Sequence, residues 1–197
     1  HRYIRRQRQM CIRDSYYHGG ISIMSELRTN RIVPRDGLPS GSSGGIIQVR
    51  STTITDAPTF TDTSYADVTG LSVSITPTRS DSKVLIMVNI HATSNSATQA
   101  YFRIFRTSDN TAVCVGDAAG SRVQATMGTN YYYQGNAVLT CSMNFLDSPA
   151  TTSNFTYKIQ TRTQGGGGIY INRAVTDSDA ITAGRFASSI TVMEVSG

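Results

Sequence analysis

Two adjacent strand-like runs, in the segment from Asp67 to His91, constrain the fold of this 197-residue chain more than any other feature. In the first run, Leu71, Val73 and Ile75 alternate with serine and threonine, which is the period of a strand with one wet face. In the second run, Val84 to Ile90, apolar residues occupy both faces, which indicates a more deeply buried strand. A polar turn separates the two runs. The pair predicts two β-strands that are consecutive along the chain.

Short strand-like runs recur along the rest of the chain, and no segment has a convincing helical stripe. Many short strands separated by turn residues predict an all-β fold, an antiparallel β-sandwich or jelly-roll-like knob. The clearest inward-facing sets are Ala137, Leu139, Cys141, Met143 and Phe145 in one run, and Phe155, Tyr157 and Ile159 in another. The predicted strands lie near residues 46–55, 65–76, 83–94, 99–107, 111–115, 122–127, 132–146, 154–163, 169–172 and 188–195.

Turn and linker residues divide the chain into three predicted regions. Residues 1–23 form an Arg-rich leader, residues 24–45 form an irregular N-terminal connector that ends in the Gly/Ser linker of Ser40 to Gly45, and residues 46–197 form the β-sandwich domain. We expect a native start at Met24, because residues 1–15 resemble translated sequencing-adapter sequence. The four glycines from Gly165 to Gly168 predict the tip of a hairpin.

The charge of the chain is concentrated in the leader. Five of the 18 Lys and Arg residues lie in positions 1–13, and one of the 13 acids lies before Met24, so the remainder carries 13 minus 12, a net charge of about +1. We therefore expect no nucleic-acid partner, although a genuine Arg-rich arm that binds nucleic acid is the alternative for the leader. No apolar run approaches the roughly 20 residues of a membrane span, so we expect no membrane insertion.

The residues that could carry metal or acid–base chemistry are sparse. His91 is the only histidine after Met24, and no nucleophile elbow of the Gly-x-Ser-x-Gly type occurs. We expect a packed or hydrogen-bonded structural histidine. Cys114 and Cys141 lie within strand patterns and are expected to be small buried apolar residues. No Cys/His spacing suits zinc, so no metal, cofactor or catalytic residue is predicted.

Candidate contact residues lie in two polar segments. Tyr131, Tyr132 and Tyr133 are consecutive and follow Asn130, so in an extended chain at least one phenol faces solvent, a second subunit or a glycan. The second set is Arg173, Asp177 and Asp179. Acids in this loop, and Asp109, Asp117 and Asp147 in other predicted loops, are interpreted as solvated turn residues, with a calcium loop or paired catalytic acids as alternatives.

Four segments resemble tail-fibre and related virion proteins of bacteriophages, and the resemblance spans most of residues 46–197. Leu27, Asn30 and Ile32 also match a short LxxNxI segment of the kind that begins phage fibre proteins. The four segments are DVTGLSVSITPTRSDSKVLIMVNIH (67–91), GDAAGSR (116–122), FLDSPATTSNFTYKIQ (145–160) and SSITVMEV (188–195).

The resemblance implies a non-enzymatic virion protein, made in the host cytoplasm, that forms the trimeric distal knob of a tail fibre. It further implies attachment to a host-surface glycan and contact with other virion or tail proteins through the N-terminal segment. The trimer is implied by the resemblance alone. A structural or head-decoration protein without receptor binding, and a glycan-active tail enzyme, are the alternatives.

Overall fold

A computed structural model describes residues 45–95, 98–129 and 137–197, which form eleven β-strands and no helix. The all-β prediction is therefore confirmed. No helix in this part of the chain is long and apolar enough to cross a membrane. The strands are β1 (Ile46–Ile54), β2 (Thr59–Phe60), β3 (Ala66–Ile75), β4 (Lys83–Ser94), β5 (Ala100–Arg106), β6 (Thr111–Val113), β7 (Met127–Thr129), β8 (Leu139–Asp147), β9 (Phe155–Thr163), β10 (Ile169–Ile171) and β11 (Ser188–Val195).

The strands form two antiparallel sheets that pack as a sandwich. Sheet A contains β1, β11, β4, β10, β2 and β8, and sheet B contains β3, β9, β5, β6 and β7. The main pairs are nested along the chain: β1 pairs with β11, β3 with β9, β4 with β8, and β5 with β6 and β7. Successive pairs alternate between sheet A and sheet B. This nesting is the jelly-roll arrangement predicted from the sequence.

The core lies between the inner faces of the two sheets, where alternate residues of each strand point inward. Leu71, Val73 and Ile75 of β3 are buried as their alternation predicts, and so are Phe155, Tyr157 and Ile159 of β9. Strand β4 is central, since it pairs with β8 on one side and with β11 and β10 on the other. Its inward residues are buried, but on its outer face Leu85 is half-buried and Met87 is 40% exposed, so the deeper burial predicted from apolar residues on both faces is found on one face only.

The predicted inward face of β8 is correct in phase but only partly buried. Cys141 is buried, Met143 and Phe145 are half-buried, and 36% of Leu139 is exposed. Strand β8 pairs only with β4 among the described strands, so it lies at the edge of sheet A. Inward side chains at an edge have fewer neighbours to cover them, which accounts for the exposure of Leu139.

A buried carboxylate stabilises the end of sheet A. Glu194 of β11 is fully buried, and it accepts hydrogen bonds from the Gln48 amide (2.7 Å) and from the backbone N–H and hydroxyl of Thr78 (2.7 Å each). Burial by itself would raise the pKa of Glu194, but the hydrogen bonds from Gln48 and Thr78 outweigh it and lower the pKa to about 2. The carboxylate is therefore held ionised inside the sandwich.

Several strand predictions need correction. The strand predicted near residues 122–127 begins only at Met127, and the two-residue β2 was not predicted. The strand predicted from Tyr132 to Leu146 begins at Leu139 within the described residues. Cys114 was expected inside a strand, but β6 ends at Val113 and Cys114 is half-buried with a φ of 55°. Such a left-handed residue cannot continue the ladder.

The prediction of a hairpin at Gly165 to Gly168 is wrong, because the run links β9 of sheet B to β10 of sheet A. Gly166 has a φ of 76°, which favours glycine. At Gly167 a Cβ would lie 2.9 Å from the Cβ of Thr98. The glycines therefore allow the chain to pass tightly from one sheet to the other.

Candidate ligand-binding site

The first predicted contact set cannot be located. Asn130, Tyr131, Tyr132 and Tyr133 lie outside the described residues, between the end of β7 and the start of β8. Their proposed contacts with a second subunit or a glycan stay predictions.

The second predicted set lies in the loop between β10 and β11, and the structure brings only part of it together. The Arg185 guanidinium contacts the Asp177 carboxylate at 2.6 Å, and Arg173 lies 3.9 Å from the same carboxylate. Asp179 is exposed. Within the described ranges, no group of side chains is placed so that it could hold a metal ion. The loop therefore contains an ion-paired acid, Asp177, and a separate exposed acid.

Arg173 is held by structural contacts. It donates to the Thr59 hydroxyl at 2.9 Å, and its guanidinium carbon lies 4.5 Å from the centre of the Tyr170 ring. The preceding residue, Asn172, is fully buried, and its amide donates to the backbone carbonyls of Ile54 and Asp56 at 3.0 and 2.9 Å. These bonds anchor the start of the loop to the end of β1. Arg173 thus orients the loop and is only partly available to a ligand.

His91 has the structural role that its place in a strand predicts. Its Nδ1 lies 3.0 Å from the Thr140 hydroxyl, and its ring stacks on Phe186 with centroids 5.4 Å apart. These contacts tie the outer face of β4 to β8 and to the loop before β11.

A cluster of cationic and aromatic side chains lies on the outer face of sheet B, and the sequence analysis did not identify it. The Arg103 guanidinium lies 4.0 Å from the centre of the Tyr65 ring, and that of Arg162 lies 5.8 Å from it. Burial raises the pKa of Tyr65, although both arginines oppose the shift, and burial lowers the pKa of Arg103. The cluster therefore combines positive charge with a flat aromatic surface.

A surface segment, residues 116–126, is held beside this cluster by hydrogen bonds. The Tyr65 hydroxyl donates to the Gln124 carbonyl at 2.6 Å, and the Gln124 amide donates to the Gly116 carbonyl at 2.8 Å. Between this segment and the adjoining ends of β5 and β9 is an open cleft of about 630 Å³, which we call the sheet B cleft. Its volume lies within the roughly 300–1,000 Å³ usual for ligand sites.

One wall of this cleft could have been predicted from the alternation of buried and polar residues in β9. In TYKIQTRT the residues Lys158, Gln160 and Arg162 share one face because side chains of a strand alternate. That face could have been identified as polar and basic from the sequence. Its meeting with Tyr65 and residues 116–126 could not, because those residues are distant in the chain.

The outer face of sheet A has a different character. The register pairs Val49 with Met193, Met193 with Leu85, and Leu85 with Leu146, so one apolar row crosses the four strands β1, β11, β4 and β8. Val49 is 49% exposed and Leu146 is 48% exposed. A continuous exposed apolar row of this kind is typical of a contact surface.

Comparison with known proteins shows only distant likenesses. No protein-family model and no functionally described protein matches the sequence. The chain is similar in structure to Eiger TNF from S. frugiperda (TM-score 0.42, 11% identity, 74% of this chain and 90% of that chain). It is also similar to a chain of the infectious bursal disease virus Gx strain (TM-score 0.38, 16% identity, 83% and 45%) and to the enzymatically active domain of bacteriophage CBA120 tailspike protein 4 (TM-score 0.25, 14% identity, 65% and 19%). Likenesses at these TM-scores carry no conclusion about function.

Proposed function

We propose that this chain is a virion structural protein, the distal knob of a phage tail fibre, which assembles as a homotrimer and attaches to a host-surface glycan. The proposal rests first on the resemblance of residues 67–91, 116–122, 145–160 and 188–195 to tail-fibre proteins. These segments lie in one jelly-roll sandwich, the architecture that the strand pattern of the sequence predicts.

The apolar row on sheet A is the observation that supports assembly with further copies. Leu85 and Met193 are half-buried in the middle of the row, and Val49 and Leu146 extend it to both edges of the sheet. The outward residues on one side of the row, Ser51, Thr191 and Asn144, are neutral, and the exposed Lys83 lies on the other side of it. An apolar row with few charges around it suits contact with a second copy of the chain.

Light scattering on a sizing column tests the assembly. We expect a mass near that of three chains, and we expect Leu146→Lys to reduce it by burying a charge in the interface. Thr69→Lys, an exposed position in β3 of the other sheet, is the matched control and should leave the mass unchanged. A monomeric wild-type chain would contradict the knob and favour the decoration role.

We further propose that the protein binds its glycan without cleaving it. The Asp177 carboxylate is occupied by an ion pair with Arg185 at 2.6 Å, which does not suit a general acid that must exchange protons with a substrate. Incubation with each bound oligosaccharide, followed by mass spectrometry of the sugar, should show no product. A product whose formation stops in Asp179→Asn would establish an enzyme instead.

A further inference from the structure

The sheet B cleft contains cationic and amide groups from three parts of the chain. Tyr101 of β5 and Arg162 of β9 are directly paired in the sheet, Gln99 and Gln164 lie at the adjoining strand ends, and Arg122 comes from the segment over them. The Gln164 N–H donates to the Gln99 carbonyl at 3.1 Å, which fixes the two strand ends to each other. None of the described residues that line the cleft is acidic.

Arg122 and Arg162 bring two positive charges to the cleft. The arginines in ion pairs between described residues are Arg79, Arg106, Arg173 and Arg185, so within this part of the structure neither Arg122 nor Arg162 is paired with a carboxylate. The Arg162 Nε–H is moreover buried with no hydrogen-bond partner among the described residues. Buried donors are nearly always hydrogen bonded, so this N–H favours an acceptor group bound beside it.

The position of Arg162 favours a planar anion as that group. A guanidinium donates through a rigid planar fork that matches a carboxylate with two parallel hydrogen bonds. The Tyr65 ring lies beside Arg162, with its centre 5.8 Å from the Arg162 guanidinium carbon. Arg162 is half-buried, so it loses less conformational entropy when a ligand binds than a fully exposed arginine would.

The remaining groups suit a sugar. Amides and phenols both donate and accept hydrogen bonds, as sugar hydroxyls require, and the Tyr101 ring offers a flat apolar surface. The Tyr101 hydroxyl donates to the Gln99 side-chain oxygen. This bond fixes the orientation of the Gln99 amide, so that its NH₂ group remains as a donor. We propose that the sheet B cleft binds a sugar residue that bears a carboxylate, held by Arg162 and Arg122. This inference rests on the proposed attachment to a host-surface glycan and names its chemical class.

The full-length protein can be tested on immobilised oligosaccharides of three groups: carboxylated (uronic or sialic acids), sulfated and neutral. We expect binding to the carboxylated group, weakened about tenfold in Arg162→Gln and in Arg122→Gln, which corresponds to about 1.4 kcal/mol. Arg162→Lys should also bind less tightly because it retains the charge but loses the planar fork. Binding should weaken with added salt.

Arg50→Gln is the matched control, since it removes the same charge from an exposed position in β1 of the other sheet. Its affinity should stay within about twofold of wild type, a difference of about 0.4 kcal/mol. Urea midpoints of all variants show whether they fold, and Arg122, which is exposed, keeps the test valid even if Arg162→Gln is unstable. Carboxylated-glycan binding that both cleft variants weaken supports the proposal.

Two other outcomes overturn it and are distinguishable. Binding confined to neutral or sulfated sugars, or carboxylated-sugar binding that neither cleft variant changes, refutes the cleft assignment while the glycan-attachment function stands. Binding to no glycan of any group refutes both the cleft assignment and the attachment function, whereas the assembly measured by light scattering is unaffected.

Discussion

Asp147 joins the two sheets through a buried network, and its removal should destabilise the fold more than any loop acid. It was predicted in a solvated loop, but it ends β8 and is 6% exposed. Its carboxylate accepts the Tyr157 hydroxyl at 2.7 Å and two bonds from the Arg106 guanidinium at 2.8 and 2.6 Å. Asp147→Ala would leave a buried hydroxyl and part of a guanidinium without an acceptor.

The magnitude follows from these contacts. An unsatisfied buried hydroxyl costs about 1–3 kcal/mol, and loss of a charge-assisted bond costs about 1.5–3 kcal/mol. We therefore expect Asp147→Ala to lower the free energy of unfolding by about 4 kcal/mol. Tyr157→Phe removes one bond to a charged group and should cost about 1.5 kcal/mol. In the double variant the bond is lost only once and no unsatisfied hydroxyl remains, so the combined loss should be at least about 1.5 kcal/mol smaller than the sum.

Asp109 provides the internal control because it binds the same guanidinium at the surface. Arg106 lowers the pKa of Asp109 to about 2, but the Asp109 side chain is 45% exposed and solvent screens the pair. Asp109→Ala should therefore cost less than about 1 kcal/mol. The assay is urea unfolding of all variants at one protein concentration, since assembly makes apparent stability concentration-dependent. Equal losses for the two aspartates, or strict additivity in the double variant, would refute this reasoning.

The remaining predictions concern the buried acid of sheet A and the glycine crossing. Glu194 has a folded-state pKa of about 2 against 4.5 for the free side chain, so its contribution is complete above pH 4.5 and is lost as the pH falls toward 2. Between pH 5 and pH 2 the wild-type protein should lose about 2–3 kcal/mol more than Glu194→Gln, and parallel pH curves in urea unfolding would contradict this. Gly167→Ala should cost about 1–3 kcal/mol through overlap with buried Thr98, whereas Gly165→Ala, with open space around it, should change stability by less than about 0.5 kcal/mol. Equal thermal unfolding midpoints for the two glycine variants would refute the overlap.

The strands could be predicted because their signal is local. Alternation placed Leu71, Val73 and Ile75 of β3 on a buried face, and the apolar run of β4 predicted a deeply buried strand, whose inward face is indeed buried. The phase of β8 was also correct. Its incomplete burial was not predictable, because exposure at an edge depends on which strands lie beside it.

The candidate functional surfaces also depend partly on local sequence and partly on contacts between distant segments. The polar face of β9 follows from the sequence, yet the sheet B cleft exists only because residues distant in the chain, Tyr65 and Arg122, are brought to Arg162. Likewise, the isolated apolar residues Val49 and Leu146 become one row only through the register of four strands.

The sequence by itself determined that the chain is all-β, where most of its strands lie and which of their faces turn inward, because alternation is a property of neighbouring residues. Only the tertiary structure decided that Asp147 is a buried link between the sheets, that the glycine run crosses from one sheet to the other, and that Arg122 and Arg162 share a cleft. Each of these depends on contacts between segments far apart in the chain, and the packing of the two sheets establishes those contacts.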